Sequence, residues 1–430
     1  MSRITWSRLV RSTAALALLA PLAFASGSAG AATIRAACSG IGVELELCRT
    51  ATEVWAAKTG NTVELVPVPS EGSARLAWLQ KMLDAKSDKI DVVQLDVVQV
   101  GSLRDHLLDL KPYSKGVEKQ HFAGMVANGT VGDKLIAMPW FIDAGLLFYR
   151  KDLLEKYQQD LPKTWEQLTK VAEHIQRAER AAGQKELWGY VWQGRAYEGL
   201  TCDALEWLSS FGGGTLVDET GKVTLGGTAA VNALTTAVSW VGTISPPEVL
   251  TFSEEESRRV FQNGHAVFMR NWPYAWALAE AADSPIKGKV GIAILPKGSG
   301  DAARHASTLG GQQLAASKYS KNPALAADLL LYLTSAEVQK QRAVKASYNP
   351  TLNDLYRDPD VKASNPYLGA LMRSFFATVA RPSSATGSKY NDVSAEFFTT
   401  VHEALERRIK PEEAVSRIES KLQQLQRAGW

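Results

Sequence analysis

From Ala32 to Val98 the chain alternates two hydrophobic patterns, and this alternation constrains the fold more than any other feature. "ATIRAACSG" reads as a strand and "CRTATEVWAAKTG" as a helix. "NTVELVPVP" alternates with a period of two. "ARLAWLQKMLDAKS" places Leu76, Leu79, Met82 and Leu83 on one helical face, and "IDVVQLDVV" is a nearly continuous apolar strand. Strand–helix–strand–helix–strand implies an α/β fold, a parallel sheet with helices on both faces. Such sheets keep ligands at the carboxyl ends of their strands.

The chain has 430 residues, more than one hydrophobic core normally organises. Its middle is mostly helical. In "LPKTWEQLTKVAEHIQRAERAAG", Thr164 is placed to cap a helix, with Gln167 three residues on. "LTCDALEWLSSF" and "GTAAVNALTTAVSWVG" continue the helical pattern, and "HAVFMRNW" and "KVGIAIL" read as strands. "NPALAADLLLYLTSAEVQKQRAV" and the C-terminal "NDVSAEFFTTVHEALERRI" and "KPEEAVSRIESKLQQLQRAG" are helical again. No low-complexity linker divides the chain, so two lobes with several crossings between them are expected.

The first 31 residues read as a secretory signal peptide. Arg3, Arg8 and Arg11 precede the short apolar run "STAALALLAPLAFA", and small residues at Ala29 and Ala31 place cleavage after Ala31. Formal net charge is +3, and removing those three arginines leaves a neutral chain. Nothing then argues for nucleic acid or an anionic membrane as partner. An exported chain meets an oxidising compartment. A Cys38–Cys48 disulfide is expected, with Cys202 left over as a small buried apolar residue.

The chain has no phosphate-binding loop, HExxH or GxSxG, and its six histidines lack metal-ligand spacing. No cofactor, metal or catalytic residue is expected. What remains is a set of acids, arginines and aromatics beside strand ends: Glu44, Arg75, Asp96, Asp143, Trp272, Tyr274, Gly310, Gly311 and Arg381. Asp143 stands out because it interrupts the apolar "IAMPWFIDAGLLFYR". A carboxylate in a buried strand needs a partner. Carboxylates and guanidiniums make charge-assisted hydrogen bonds to hydroxyls, and an indole covers the C–H face of a pyranose. Paired glycines let backbone approach a ligand. Twelve tryptophans suggest that several line a surface or cleft. Taken singly, Asp96 and Asp143 also read as structural residues bonded to backbone amides, Trp272 as core and Arg381 as a surface ion pair, while Glu46 competes with Glu44 for the same role.

"GDKLIAMPWFIDAGLLFYRKDLLEKYQQDLPKTWEQL" resembles the signature of family 1 extracellular solute-binding proteins, which serve ABC importers. "VFQNGHAVFMRNWPYAWAL" and "NPALAADLLLYLTSAEVQKQRA" match two further family segments. "WQGRAYEGLTCDALEW", "FMRNWPYAWAL" and "SYNPT" are similar to the trehalose/maltose-binding branch. The resemblance implies two α/β lobes (a Venus-flytrap fold) joined by crossing strands, with sugar between them. It implies an N-terminal lobe of residues 32–146 and 318–372 and a C-terminal lobe of residues 147–317 and 373–430. Matched motif to motif, Glu44, Arg75, Asp96, Asp143, Trp272, Gly311 and Arg381 fall on ligand contacts, with Tyr197 and Tyr274 as further candidates.

Two positions depart from the branch. Gln99 and Gln312 stand where it usually has tryptophan. Each removes an aromatic platform and adds an amide, which favours a more polar sugar or a polyol glycoside. The resemblance implies a monomeric periplasmic protein that delivers trehalose, maltose or a related sugar to ABC membrane subunits driven by a separate ATPase. The rivals are a secreted glycoside hydrolase and a binder of a polyol or other non-sugar solute.

Overall fold

The computed structural model describes residues 31–38, 42–69 and 72–430; residues 1–30, nearly all of the expected leader, lie outside them. The N-terminal alternation folds as expected. Strands β1 (Thr33–Ala37), β2 (Thr62–Leu65) and β3 (Val92–Asp96) are separated by helices Glu44–Thr59 and Gly72–Asp84. β1 pairs in parallel with β2 and β3. A disulfide joins Cys38, just after β1, to Cys48 in the first helix.

The apolar stretch around Asp143 is two strands, not one. β4 (Met138–Ala144) and β5 (Leu146–Arg150) are separated by Gly145 alone. The later strands are β6 (Trp188–Val191), β7 (Ala266–Asn271), β8 (Val290–Ala293), β9 (Ser307–Ala316) and β10 (Thr378–Val379). β4 joins the larger sheet by pairing antiparallel with β9. β5 joins a second, four-stranded sheet ordered β8-β5-β7-β6. The chain therefore leaves one sheet and enters the other at Gly145. A Cβ there would lie 2.1 Å from Glu206 Oε1, which is why only glycine fits the crossing.

The larger sheet is mixed. Its first three strands are parallel, but β9 runs antiparallel to both β3 and β4. The second passage between the sheets falls between β8 and β9, before residue 307. "STLGGQQLAA" hides the strand, because its paired glycines weaken a β reading. The third crossing follows β10, which pairs with the start of β9. It leads into helix Tyr390–Leu405, packed on helix Glu198–Ser210 of the second lobe.

Each sheet has its own core. Ile34, Val92, Met138, Leu314 and Leu330 belong to the first, and Leu147, Leu168, Leu205, Phe268 and Phe397 to the second. The tryptophans mostly serve these cores: Trp55, Trp140, Trp165, Trp192, Trp207 and Trp240 are fully buried. The expected cap is present, with Thr164 Oγ1 accepting from Gln167 N at 3.2 Å and Gln167 Oε1 from Thr164 N at 3.3 Å. Among the described residues, no helix is long and apolar enough to cross a membrane.

Candidate ligand-binding site

One cavity lies where the two sheets and the crossing strands meet. Its lining includes Glu44, Arg75, Asp96, Asp143, Tyr197, Trp272, Tyr274, Gly310, Gly311, Gln312 and Arg381, eleven of the twelve residues singled out from sequence. Gln99 is the exception. It faces a neighbouring hollow between helices Gly72–Asp84 and Tyr390–Leu405. Its Oε1 accepts from Asp96 N at 3.0 Å, which turns it away from the cavity and fixes the end of β3.

The first lobe contributes acids through β3, β4 and the first helix. Asp96 is the last residue of β3. Glu44 opens helix Glu44–Thr59, where the positive end of the helix dipole favours a carboxylate. It is 2% exposed and accepts from Gln94 Nε2 at 3.1 Å and Arg342 Nη2 at 3.2 Å, whereas Glu46 faces solvent. Asp143 sits two residues before the first crossing and accepts from Asn349 Nδ2 at 3.0 Å. Burial raises its pKa to about 7, against the pull of Asn349.

Arg381 follows β10 at the third crossing and is gripped from both lobes. Its Nη2 lies 2.7 Å from Asp96 Oδ1 and its Nη1 2.7 Å from Glu198 Oε1. Burial works against its charge, yet the acids beside it raise its pKa well above the usual guanidinium value. Glu198 also accepts from Ser394 Oγ at 2.6 Å and from the Tyr390 hydroxyl. The structure therefore places Arg381 in a buried bridge rather than a surface ion pair.

The second lobe supplies Trp272, Tyr274 and Tyr197 to the aromatic wall. Trp272 follows β7 and is partly buried, with its indole over the Arg270 guanidinium at 4.0 Å. Tyr274 donates to Glu255 at 2.7 Å and stacks on Tyr348 at 6.4 Å between ring centroids. Tyr197 donates to Glu254 at 2.7 Å. Gly310 and Gly311 line the cavity and are also required by packing. A Cβ on Gly310 would lie 2.8 Å from Trp272 Cζ3, and one on Gly311, at φ +132°, 2.5 Å from Phe141 O. They make room for the indole and for the neighbouring strand.

Sequence reasoning missed Glu198, Glu254, Phe141, Tyr348 and Cys202, which also line the cavity. Glu198 and Glu254, like Glu44, are each the first residue of a helix. An acid opening a helical pattern was the available signal, but it is also the ordinary signature of a stabilised helix start. Cys202 is buried as expected, and burial raises its thiol pKa well above the usual value. Among the described residues, no group of three or more His, Cys, Asp or Glu side chains is placed to hold a metal.

Two α/β lobes, three crossings and a polar cavity between them define a solute-binding architecture. The bacterial extracellular solute-binding protein family model matches residues 48–340, and the chain belongs to that family. It is 50% identical over 412 residues to a probable ABC transporter-binding protein of Deinococcus radiodurans, covering 95% of this chain and 97% of that protein. Maltose-bound MalE3 of T. maritima is 40% identical, with a TM-score of 0.86 over 92% of this chain and 100% of that one. A solute-binding protein of Thermotoga lettingae bound to α-D-tagatose shares the fold, with a TM-score of 0.80, 24% identity and coverage of 92% and 99%. Family and relatives are transporter components that bind solutes rather than enzymes, and the family's description places it outside the cytoplasm.

Proposed function

We propose that this chain is the sugar-binding subunit of an ABC importer, exported by cleavage of its leader after Ala31 and working as a monomer in the periplasm. The observation that carries this reading is the joint lining of one cavity by acids of both lobes, the crossing residue Arg381 and the indole of Trp272. Hydroxyls need donors and acceptors at several angles, and a pyranose C–H face needs an aromatic plane. Asp96, Asp143, Glu44, Arg75, Arg381 and Gln312 supply the first, with Tyr197, Tyr274 and Gly311 completing the walls. Trp272 supplies the second. Contacts to both lobes favour the arrangement in which they face each other closely, which the membrane subunits then recognise.

The similarity to a maltose-bound protein makes an α-linked glucose disaccharide the first candidate. Gln312 in the wall, where the branch usually has tryptophan, favours a more hydroxylated variant. A thermal-shift screen of the mature chain over disaccharides, polyols, amines and peptides tests the class. The largest stabilisation is expected from a sugar, since a ligand that binds only the folded form raises stability with concentration. A largest shift from an amine or peptide contradicts the reading. The raised pKa of Asp143 beside other acids also suits a glycoside-cleaving acid. Disaccharides incubated with the chain are nevertheless expected to remain intact, and released monosaccharide would make the protein an enzyme.

A further inference from the structure

Directly behind Trp272 lies a cluster of three ionisable side chains, Asp203, Glu206 and Arg270, each 0% exposed. Arg270 Nε is 2.9 Å from Glu206 Oε2 and 2.9 Å from Asp203 Oδ1. Its Nη2 donates to Glu206 Oε1 at 2.6 Å and its Nη1 to Gln193 Oε1 at 3.0 Å. Gln193 N in turn donates to Asp203 Oδ2 at 2.8 Å. Removing such charges from water costs several kcal/mol per ion, and well-packed apolar residues often serve stability as well or better. Stability alone is therefore a poor reason for this cluster.

Its connections suggest another. The Arg270 guanidinium carbon lies over the Trp272 ring, 4.0 Å from its centroid. Glu206 Oε1 also accepts from Thr308 N at 2.9 Å, in the part of β9 that follows the second crossing. At the first crossing, a Cβ on Gly145 would lie 2.1 Å from that oxygen and 2.7 Å from Arg270 Nη2. One rigid network thus touches the indole and two of the strands that pass between the lobes. A guanidinium held by several hydrogen bonds has a fixed plane, and an indole resting on it inherits that orientation.

We propose that Arg270 is a positioning residue for ligand binding: it fixes the Trp272 indole plane and ties it to the crossing strands through Glu206. The proposal rests on the reading of Trp272 as the sugar platform. Lysine at 270 keeps the charge but cannot reproduce the planar fork. Two measurements on Arg270→Lys test it. With 5-fluorotryptophan incorporated, the Trp272 fluorine resonance is identified by its loss in Trp272→Phe. In Arg270→Lys that line is expected to shift or broaden, with the other indole lines unchanged. Titration with maltose by calorimetry is expected to show binding weakened about tenfold, because the indole no longer sits in one plane.

An unmoved line, or maltose affinity within about twofold of wild type, would overturn the proposal. Equal movement of all indole lines would reduce the cluster to a structural role and overturn it too. If Arg270→Lys does not fold, Glu206→Gln carries the same pair of tests, with the same line expected to move. A wild-type chain that binds neither maltose nor any other sugar refutes the sugar reading. The fluorine line then still decides whether Arg270 fixes the indole.

Discussion

The two lobes each hold a buried arginine beside the cavity, and they hold it in opposite ways. Arg270, in the second lobe, has acids or a carboxamide on Nε, Nη1 and Nη2. Burial opposes its charge, but Asp203 and Glu206 overcome this and raise its pKa. Arg342, in the first lobe, reaches Glu44 through Nη2, while among the described residues its Nε and Nη1 have no hydrogen-bond partner. Its guanidinium rests instead on Trp140 at 3.8 Å and Tyr348 at 4.5 Å. There burial outweighs Glu44, and the pKa falls. The difference separates a scaffold from a binding wall. The second lobe spends its buried charge on fixing an indole, whereas the first keeps Glu44 and Asp143 near a lightly paired cation, free to bond a ligand.

The comparison is broken most sharply by deleting each cation. Arg270→Met leaves Asp203 and Glu206 buried without their counterion and is expected to destabilise the fold by about 3–5 kcal/mol. Arg342→Met strands only Glu44, which keeps the Gln94 amide, and relieves two unpaired donors. A loss of about 1–3 kcal/mol is expected. Denaturant melts of the two variants check this, and equal losses would erase the distinction.

A smaller effect sharpens it from the side of the first lobe. Asp143 has a folded pKa raised to about 7, above its ordinary value of 3.8. Below that ordinary value both folded and unfolded chains hold the proton, and the residue costs nothing. As pH rises from about 4 to 7 the unfolded chain releases the proton and the folded one retains it, so stability falls with pH across this window. Asp143→Asn is expected to flatten that slope. Denaturant midpoints measured from pH 4 to pH 7 test it, and an unchanged slope would show that Asp143 does not titrate as its burial demands.

Much of this was legible in the sequence, for identifiable reasons. Local patterns carried the first three strands, their helices and the Thr164 cap, because period and capping chemistry are local properties. The family resemblance carried Asp143, Arg381 and Trp272 into one cavity. What escaped depends on contacts between distant segments. The break at Gly145 follows from Glu206, sixty-one positions along, and β9 is paired through glycines that discourage a strand reading. Gln99 was drawn toward the ligand by its motif position, but its amide finds Asp96 N closer. Glu198 and Glu254 carried only a helix-start signal. Their partners, Arg381 and Tyr197, belong to other segments of the chain.

The central claim is that a saccharide lies against Trp272 between the lobes. Calorimetric titration of wild type and Trp272→Ala with the sugar that most stabilises the wild-type chain tests it most directly. The account predicts unchanged folding and affinity lower by about 100-fold, close to 2.7 kcal/mol. Equal affinity in the two proteins would place the ligand elsewhere and contradict it.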